Sequence, residues 1–255
     1  MNKIIFCPAS GTGAIRFACQ ALRCSGWDIT DTPGPNVTHL LLPVPAFEAD
    51  GRIKGGGILE HILADLPENI TVIGGGLRHP ALEGYPKMDL LEDGQYLAKN
   101  AAITADCAMR IAGQHIHVVF SGCPVLVIGW GRIGKCLASY LQSAGAKVTV
   151  AARKPEDRHM AQALGYAAED PKNMHYSLAA FRILFNTAPA TVLRQSQLAF
   201  CRRDCVKIDL ASRKGLDSGD VLWERGLPGR IAPESSGLLI ARSIIRMIAE
   251  KEAVQ

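Results

Sequence analysis

The feature that most narrows what this chain can fold into is the string Gly129-Trp130-Gly131-Arg132-Ile133-Gly134. It follows the apolar run Val125–Ile128 directly, opens a segment of helical period from about Ile133 to Ser143, and is succeeded by a second strand-like run, Lys147–Ala151, that begins 13 residues after Gly134. A lone G-x-G-x-x-G is weak, but strand before, helix and strand after make it the turn of a dinucleotide-binding βαβ unit. Each glycine has a physical task. Gly129 permits the tight turn, Gly131 lets a pyrophosphate approach the backbone, and Gly134 lets helix and strand pack closely, while the helix N-terminus presents N–H donors to phosphate oxygens. Trp130, Arg132 and Ile133 lie in the same turn and are candidate contacts with it. The alternative is a tight βα turn that holds no ligand.

Around this turn, short apolar runs alternate with segments of helical period, the pattern of a mostly parallel sheet wrapped by helices. In the first half the strand candidates are Lys3–Cys7, Leu40–Pro43, Ile70–Ile73 and Lys87–Leu91, separated by helical segments at Ala14–Cys24 and Ile58–Leu66 and a short piece after His79. In the second half, strands at Ile183–Asn186 and Val206–Leu210 follow a helix at Glu156–Leu164. The expected fold class is therefore α/β with two doubly wound parallel-sheet domains, the second a Rossmann domain, and a C-terminal helix crossing back to the first. The expected limits are 1–98 for the N-terminal substrate-side domain, 99–118 for a linking helix, 119–234 for the dinucleotide-binding domain and 235–255 for the last helix. His115 and His117 alternate as in a strand or loop and read as structural or surface residues.

The residues after Lys147–Ala151 decide which dinucleotide is favoured. An NAD site usually has Asp or Glu there to hold the ribose 2′-OH. Here Ala151 and Ala152 occupy the place, followed by Arg153, Lys154 and, one helical turn on, Arg158. Cations attract a 2′-phosphate that a carboxylate would repel, and Arg153 offers it a planar fork. NADP(H) is the expected cofactor, with a solvated basic turn as the plain alternative. The later strand ends, where ligands of open α/β sheets collect, carry Asn186, Thr187 and Pro189 in FNTAP, and Asp209, Ala211, Arg213 and Lys214 in DLASRKG. Asn186 and Thr187 can hydrogen-bond a nicotinamide ribose or carboxamide, or simply end a strand.

Charge is unevenly distributed, with a net −3 over residues 1–118 and +7 over 119–255. The overall +4 is too small to indicate a general nucleic-acid binder. Eight scattered cysteines without a C-x-x-C pair or histidines at zinc spacing give no metal site and read as reduced thiols. Cys201 and Cys205, three residues between them, can be redox active or merely the rim of a strand. No stretch reaches the length of a membrane span, and the N-terminus reads as a first strand rather than a signal peptide, so a cytoplasmic location is expected.

With these residues in place the chain resembles the family of dehydrogenase-like, NADP-dependent dipicolinate synthase subunits from spore-forming bacteria. The resemblance rests on DLASRKG followed by GLPGRIAPESSG, on Asn100-x3-Thr104-x-Asp106, and on LLPVP at Leu41–Pro45 and AAR at Ala151–Arg153. It covers nearly all of the second half and is thinner over residues 1–95. The sequence departs from the family pattern at CPASGTGA, where a Gly-Gly-Asp-x-Arg turn is usual, at Glu234, where lysine is common, at Asp106, where the family has Glu, and in a shorter first domain.

The resemblance implies oxidation of dihydrodipicolinate to dipicolinate during sporulation, with a hydride passing to NADP+ and one proton lost as the ring becomes aromatic. It also implies a homo-oligomeric assembly and a flavoprotein-like partner subunit. Arg213 is then the candidate clamp on a carboxylate of the small dicarboxylate substrate, with Lys214 and Arg230 in reserve. Asn100 and Thr104 are candidate substrate contacts, and Asp106 a candidate base or a residue that orients one. Two other classes stay open. One is an NADP-dependent reductase of another small carboxylic acid, such as a 2-hydroxy acid, although the Arg/Glu/His set that polarises a carbonyl is not evident. The other is a dinucleotide-binding subunit with little activity alone.

Overall fold

Parallel strands whose side chains are buried on both faces organise the computed structural model, which describes residues 3–254. The chain divides into two units, one formed by residues 1–100 and 228–255 and the other by 101–227.

The first unit is built on β1 (Ile5–Pro8), α1 (Gly13–Cys24), β2 (Asp28–Ile29), β3 (His39–Leu41), α2 (Leu59–Leu63), β4 (Thr71–Gly74) and β5 (Lys87–Asp89). Its sheet runs β2-β1-β3-β4-β5, all parallel, the order of flavodoxin-like sheets with the switch point between β1 and β3. Cys7, Leu40, Leu42 and Val72 form one side of its core with Ile53, Leu59 and Leu82. The end of β5 is fastened by the Asp89 carboxylate, which accepts from the backbone N–H groups of Gly76 and Leu91 at 2.9 Å and of Leu77 at 2.8 Å.

The helix α3 spans Gly94–His115, beginning earlier than the Ala-rich stretch from Lys99 suggests. Asp93 explains the start: its carboxylate accepts from the N–H groups of Gln95 and Tyr96 at 3.1 and 3.2 Å, the capping geometry an aspartate provides. His115 is the last residue of this helix rather than part of a strand or loop, and its Nδ1 lies 3.0 Å from the Ile111 carbonyl oxygen. The boundary between the units falls within α3, after Asn100.

The second unit contains β6 (Pro124–Ile128), α4 (Arg132–Ser143), β7 (Lys147–Ala151), α5 (Pro155–Ala163), β8 (Ala167–Glu169), β9 (Ile183–Asn186), α6 (Gln195–Leu198), β10 (Val206–Asp209) and β11 (Leu222–Trp223). Its six parallel strands lie in the order β11-β10-β9-β6-β7-β8. Read from β6 outward through β7 and β8 and then through β9, β10 and β11, this is the 3-2-1-4-5-6 order of dinucleotide-binding sheets, with the chain reversing direction across the sheet between β6 and β9. Leu126, Ile128, Leu184 and Leu193 pack with Leu178, Leu198 and Leu216 in one core cluster. The edge strands β8 and β11 are only three and two residues long, which limits unpaired backbone at the sheet margins.

After α7 (Leu227–Ile231) the chain enters α8 (Pro233–Val254), which belongs to the first unit and packs on α1. Its apolar residues Leu239, Ile240, Ile244 and Ile248 are buried, as are Ile15, Ala18 and Leu22 of α1. The two helices touch closely at Gly237, where a Cβ would stand 2.5 Å from the Ala14 carbonyl oxygen and from Phe17 Cβ. Arg246 of α8 pairs with Asp93, so the carboxylate that caps α3 also anchors the last helix. The fold is thus α/β with two parallel sheets, and its C-terminal helix returns to the first.

Candidate dinucleotide site

The site is assembled at the carboxyl ends of β6, β7, β9 and β10, where the strand order reverses. Gly129 leaves β6 at φ +101°, a conformation that L side chains rarely adopt, and a Cβ there would fall 2.4 Å from Thr187 Oγ1. At Gly134 a Cβ would fall 2.1 Å from the Gly129 carbonyl oxygen, so helix α4 starts in backbone contact with the turn. Gly131 behaves differently. It is the extended N-cap of α4, and a Cβ there would meet nothing within 4 Å. No side chain caps the helix at this position and no acidic residue stands in its first turn. The first N–H groups of an α-helix have no intrahelical acceptor, so the turn offers donors, a positive helix end and open space: the requirements of a pyrophosphate. Arg132 is exposed at the same end and Ile133 half-buried.

Trp130 faces inward. It is 8% exposed, lies edge-on to Tyr166 with ring centroids 5.7 Å apart, and has the Lys135 ammonium 5.9 Å from its ring centroid. Its role in the structure is to anchor the turn to the chain segment leading into β8.

At the end of β7, Ala151 and Ala152 are buried and Arg153 and Lys154 project to solvent. Lys154 makes only a long, exposed pair with Glu156, at 3.9 Å, which contributes little. Arg158 does not join them as a free cation. Its Nη1 donates to the carbonyl oxygens of Ala152 at 2.7 Å and Arg153 at 2.8 Å and lies 3.3 Å from Asp170, with one-fifth of the side chain exposed. The sequence groups Arg158 with the phosphate-seeking residues; in the structure it is a clamp that shapes the loop carrying them.

The ends of β9 and β10 are bound together by a polar network. Asp209 is fully buried. One carboxylate oxygen accepts from Asn186 Nδ2 and the Ala211 N–H, both at 3.0 Å, and the other from the N–H groups of Gly215 at 2.6 Å and Leu216 at 2.9 Å. Asn186, also fully buried, donates to the Ala188 carbonyl oxygen at 3.1 Å and accepts from the Ala188 N–H at 3.0 Å. Thr187 donates from Oγ1 to the Ile128 carbonyl oxygen at 3.0 Å, tying β9 to β6 directly below Gly129. Ala211 is 3% exposed, and its carbonyl oxygen accepts from Trp223 Nε1 at 3.0 Å. Asp209, Asn186, Thr187 and Ala211 therefore position these loops by geometry, at the strand ends where the sequence places cofactor contacts. Pro189, Arg213 and Lys214 are exposed on the loops this network holds, with Lys214 donating to the Ser218 carbonyl oxygen at 3.0 Å.

The polar residues of α3 separate into two sets. Asn100 and Thr104, four residues apart, share a helix face, Thr104 being 8% exposed. Asp106, two residues beyond Thr104, lies about 200° around the helix from it at roughly 100° per residue, and pairs with Arg110 at 2.8 Å with half of its side chain exposed. Asp106, the candidate base or base-orienting residue, is thus turned away from the face that Asn100 and Thr104 share, with its carboxylate engaged by Arg110. Arg230 lies in α7, within the first unit.

Sequence reasoning missed the organising roles of Asp209 and Asp89. An aspartate at the last position of a strand, followed within a few residues by a turn rich in free backbone donors, is the local signal that was available. Among the described residues, no three His, Cys, Asp or Glu side chains converge as a metal site, and no helix is long and apolar enough to cross a membrane.

No protein-family model matches the chain. A dipicolinate synthase subunit of Bacillus subtilis (strain 168) is 25% identical over 252 residues, covering 91% of this chain and 84% of that protein. The crystal structure of the dipicolinate synthase subunit of the same name from Bacillus halodurans superposes with a TM-score of 0.83 at 22% identity, covering 97% of this chain and 99% of that one. An L-alanine dehydrogenase shares the fold more distantly, with a TM-score of 0.63 at 11% identity over 95% of this chain and 88% of its own. In sequence and in fold, then, the chain resembles this dipicolinate synthase subunit over nearly its whole length, within the wider fold of two-domain dehydrogenases.

Proposed function

We propose that this chain is an NADP-dependent oxidoreductase, the dehydrogenase-like subunit of a dipicolinate synthase, which oxidises dihydrodipicolinate to dipicolinate. The observation that carries the cofactor reading is the pairing of an open, uncapped Gly131 turn with a β7 end that has two exposed cations and no carboxylate of its own. Similarity to the Bacillus subtilis protein along 91% of the chain supports the substrate reading, and the dehydrogenase fold supports an oxidoreductase.

When bound, NADP+ supplies the hydride acceptor at its nicotinamide. The chain's own residues do the positioning. The N–H groups around Gly131 and Arg132 receive the pyrophosphate, and Arg153 and Lys154 receive the 2′-phosphate. Asn186, Thr187 and Asp209 hold the β9 and β10 loops at the reversal point. Arg213 is the proposed clamp on a substrate carboxylate, and Asn100 and Thr104 the proposed polar contacts from α3. A flavoprotein-like partner, a homo-oligomeric assembly, a cytoplasmic location and a role in sporulation are parts of the same proposal, drawn from the resemblance.

Titration with NADPH and NADH, followed by nicotinamide fluorescence, tests the cofactor reading. Charge-assisted hydrogen bonds contribute about 1.5–3 kcal/mol, so Arg153→Ala should weaken NADPH binding roughly tenfold to 150-fold and leave NADH binding unchanged. Equal affinity for the two cofactors in the unaltered protein would overturn it. The substrate reading is tested by supplying freshly generated dihydrodipicolinate and NADP+, with and without the candidate flavoprotein-like partner. Failure to form dipicolinate under both conditions would exclude the synthase activity.

A further inference from the structure

Arg225 lies in the loop that leaves β11, and its guanidinium rests over an aromatic ring. Its Cζ stands 5.6 Å from the ring centroid of Trp223, the last residue of β11. That ring is itself held in place. Trp223 is 44% exposed, but its Nε1 donates to the Ala211 carbonyl oxygen at 3.0 Å, and the Ala211 N–H donates to the buried Asp209 carboxylate at 3.0 Å. A guanidinium over an indole face is attracted by the ring and still has N–H donors to offer an anion.

The same network carries Arg213. This residue follows Ala211 by two positions, so their Cα atoms are at most roughly 7 Å apart. β10 and β11 are parallel neighbours with Asp209 opposite Trp223, which sets the two strand ends about 4.8 Å apart. Arg213 and Arg225 therefore extend from the carboxyl ends of adjacent strands, the side of an open α/β sheet on which ligands bind. Both are exposed. Among the described residues neither is in an ion pair. Lys214 is engaged elsewhere, its Nζ donating to the Ser218 carbonyl oxygen at 3.0 Å. Two neighbouring guanidinium groups repel one another, and an anion that bridges them removes that cost. The carboxylates of a pyridine-2,6-dicarboxylate flank the ring nitrogen at a separation comparable to the spacing of the two strands, so each can meet one guanidinium.

We propose that Arg225 is a second carboxylate clamp, which selects a dicarboxylate over a monocarboxylate. Arg213 holds the carboxylate on the β9 side, and Arg225 holds the one farther out, because the strand order β11-β10-β9 puts β11 at the margin of the sheet. Trp223 is the positioning residue for Arg225. The assignment rests on the dicarboxylate substrate proposed above.

Isothermal titration calorimetry of the full-length protein in metal-free buffer, with and without NADPH, gives the affinities for pyridine-2,6-dicarboxylate and pyridine-2-carboxylate. The unaltered protein should bind the dicarboxylate roughly tenfold or more tightly than the monocarboxylate, the difference that one charge-assisted hydrogen bond supplies. Arg225→Gln should bring the ratio of the two affinities close to one and leave NADPH affinity unchanged. Arg213→Gln should weaken both acids, since it removes the clamp on the carboxylate they share. A preference for the dicarboxylate that survives in Arg225→Gln would overturn the role of Arg225 and leave the substrate reading standing. Loss of both acids and of NADPH together in that variant would also overturn it, because Arg225 would then be a structural residue. If the unaltered protein binds no dicarboxylate under either condition, the substrate reading falls and the second clamp falls with it.

Discussion

Asp209 holds the most heavily bonded carboxylate of the cofactor-side loops. Four donors converge on it, two on each oxygen. In Asp209→Asn one oxygen remains to serve one pair of donors, and the new NH2 group is turned against the other pair. Whichever way the amide is oriented, two buried donors lose their acceptor, and at about 1–3 kcal/mol for each unsatisfied donor the expected loss is about 2–6 kcal/mol. The loss should concentrate in the loop from Leu210 to Leu216. Amide hydrogen exchange read by mass spectrometry is the appropriate assay, because two compact units can unfold in separate steps and blur a single denaturation midpoint. Exchange across that loop should accelerate by roughly 30-fold to 10⁴-fold, at about 1.4 kcal/mol per tenfold, with α1 and α8 unaffected. Trp223, whose indole donates to Ala211 on this loop, should report the change in its emission. If Asp209→Asn retains the protection of Ala211, Gly215 and Leu216, the carboxylate is not what holds the loop.

Three further outcomes follow from the geometry. Gly131→Ala should fold with unchanged stability and lose dinucleotide affinity, whereas Gly134→Ala should be destabilised by a Cβ placed against the Gly129 carbonyl oxygen; thermal unfolding and cofactor titration separate the two. Arg158→Met should cost about 1–3 kcal/mol in urea unfolding by removing bonds to two backbone carbonyl oxygens, without altering the preference between NADPH and NADH. Burial lowers the His39 imidazole to about 4, with the charge of Lys251 acting in the same direction. Because the unfolded chain then binds more protons, stability contributed by neutral His39 is present above pH ~6.5 and lost as pH falls towards 4, by about 1–2 kcal/mol after allowance for partial exposure. A His39→Gln variant should flatten that part of the stability profile, and an imidazole titrating near 6.5 by NMR would contradict it.

The second sheet was legible because its signals are local. Apolar runs such as Val125–Ile128 and Ile183–Asn186 are strands by composition, and the three glycines after β6 carry their geometry in their spacing. The edge strands β2, β8 and β11 were not legible, since two or three residues such as Asp28–Ile29 acquire their structure only from the neighbour they pair with. At the site, Arg153 and Lys154 could be read as exposed cations, but nothing adjacent in sequence distinguishes Arg158, whose partners are carbonyl oxygens and an aspartate 12 residues away. The contrary placement of Asp106 was available from helical periodicity, because residues two apart on a helix face different ways. The convergence of Gly215, Leu216 and Asn186 on Asp209 was not, because it brings together separate strand ends.

The clamp made by Arg158 also bears on how such a site changes over evolutionary time. By holding the carbonyl oxygens of Ala152 and Arg153 from within, it sets the path of the loop through main-chain atoms that every substitution at position 153 retains. Replacement of the Arg153 side chain therefore alters the chemistry offered to a ligand without dismantling the scaffold beneath it. On the proposed reading of Arg153, cofactor preference and foldability become separable traits of this loop.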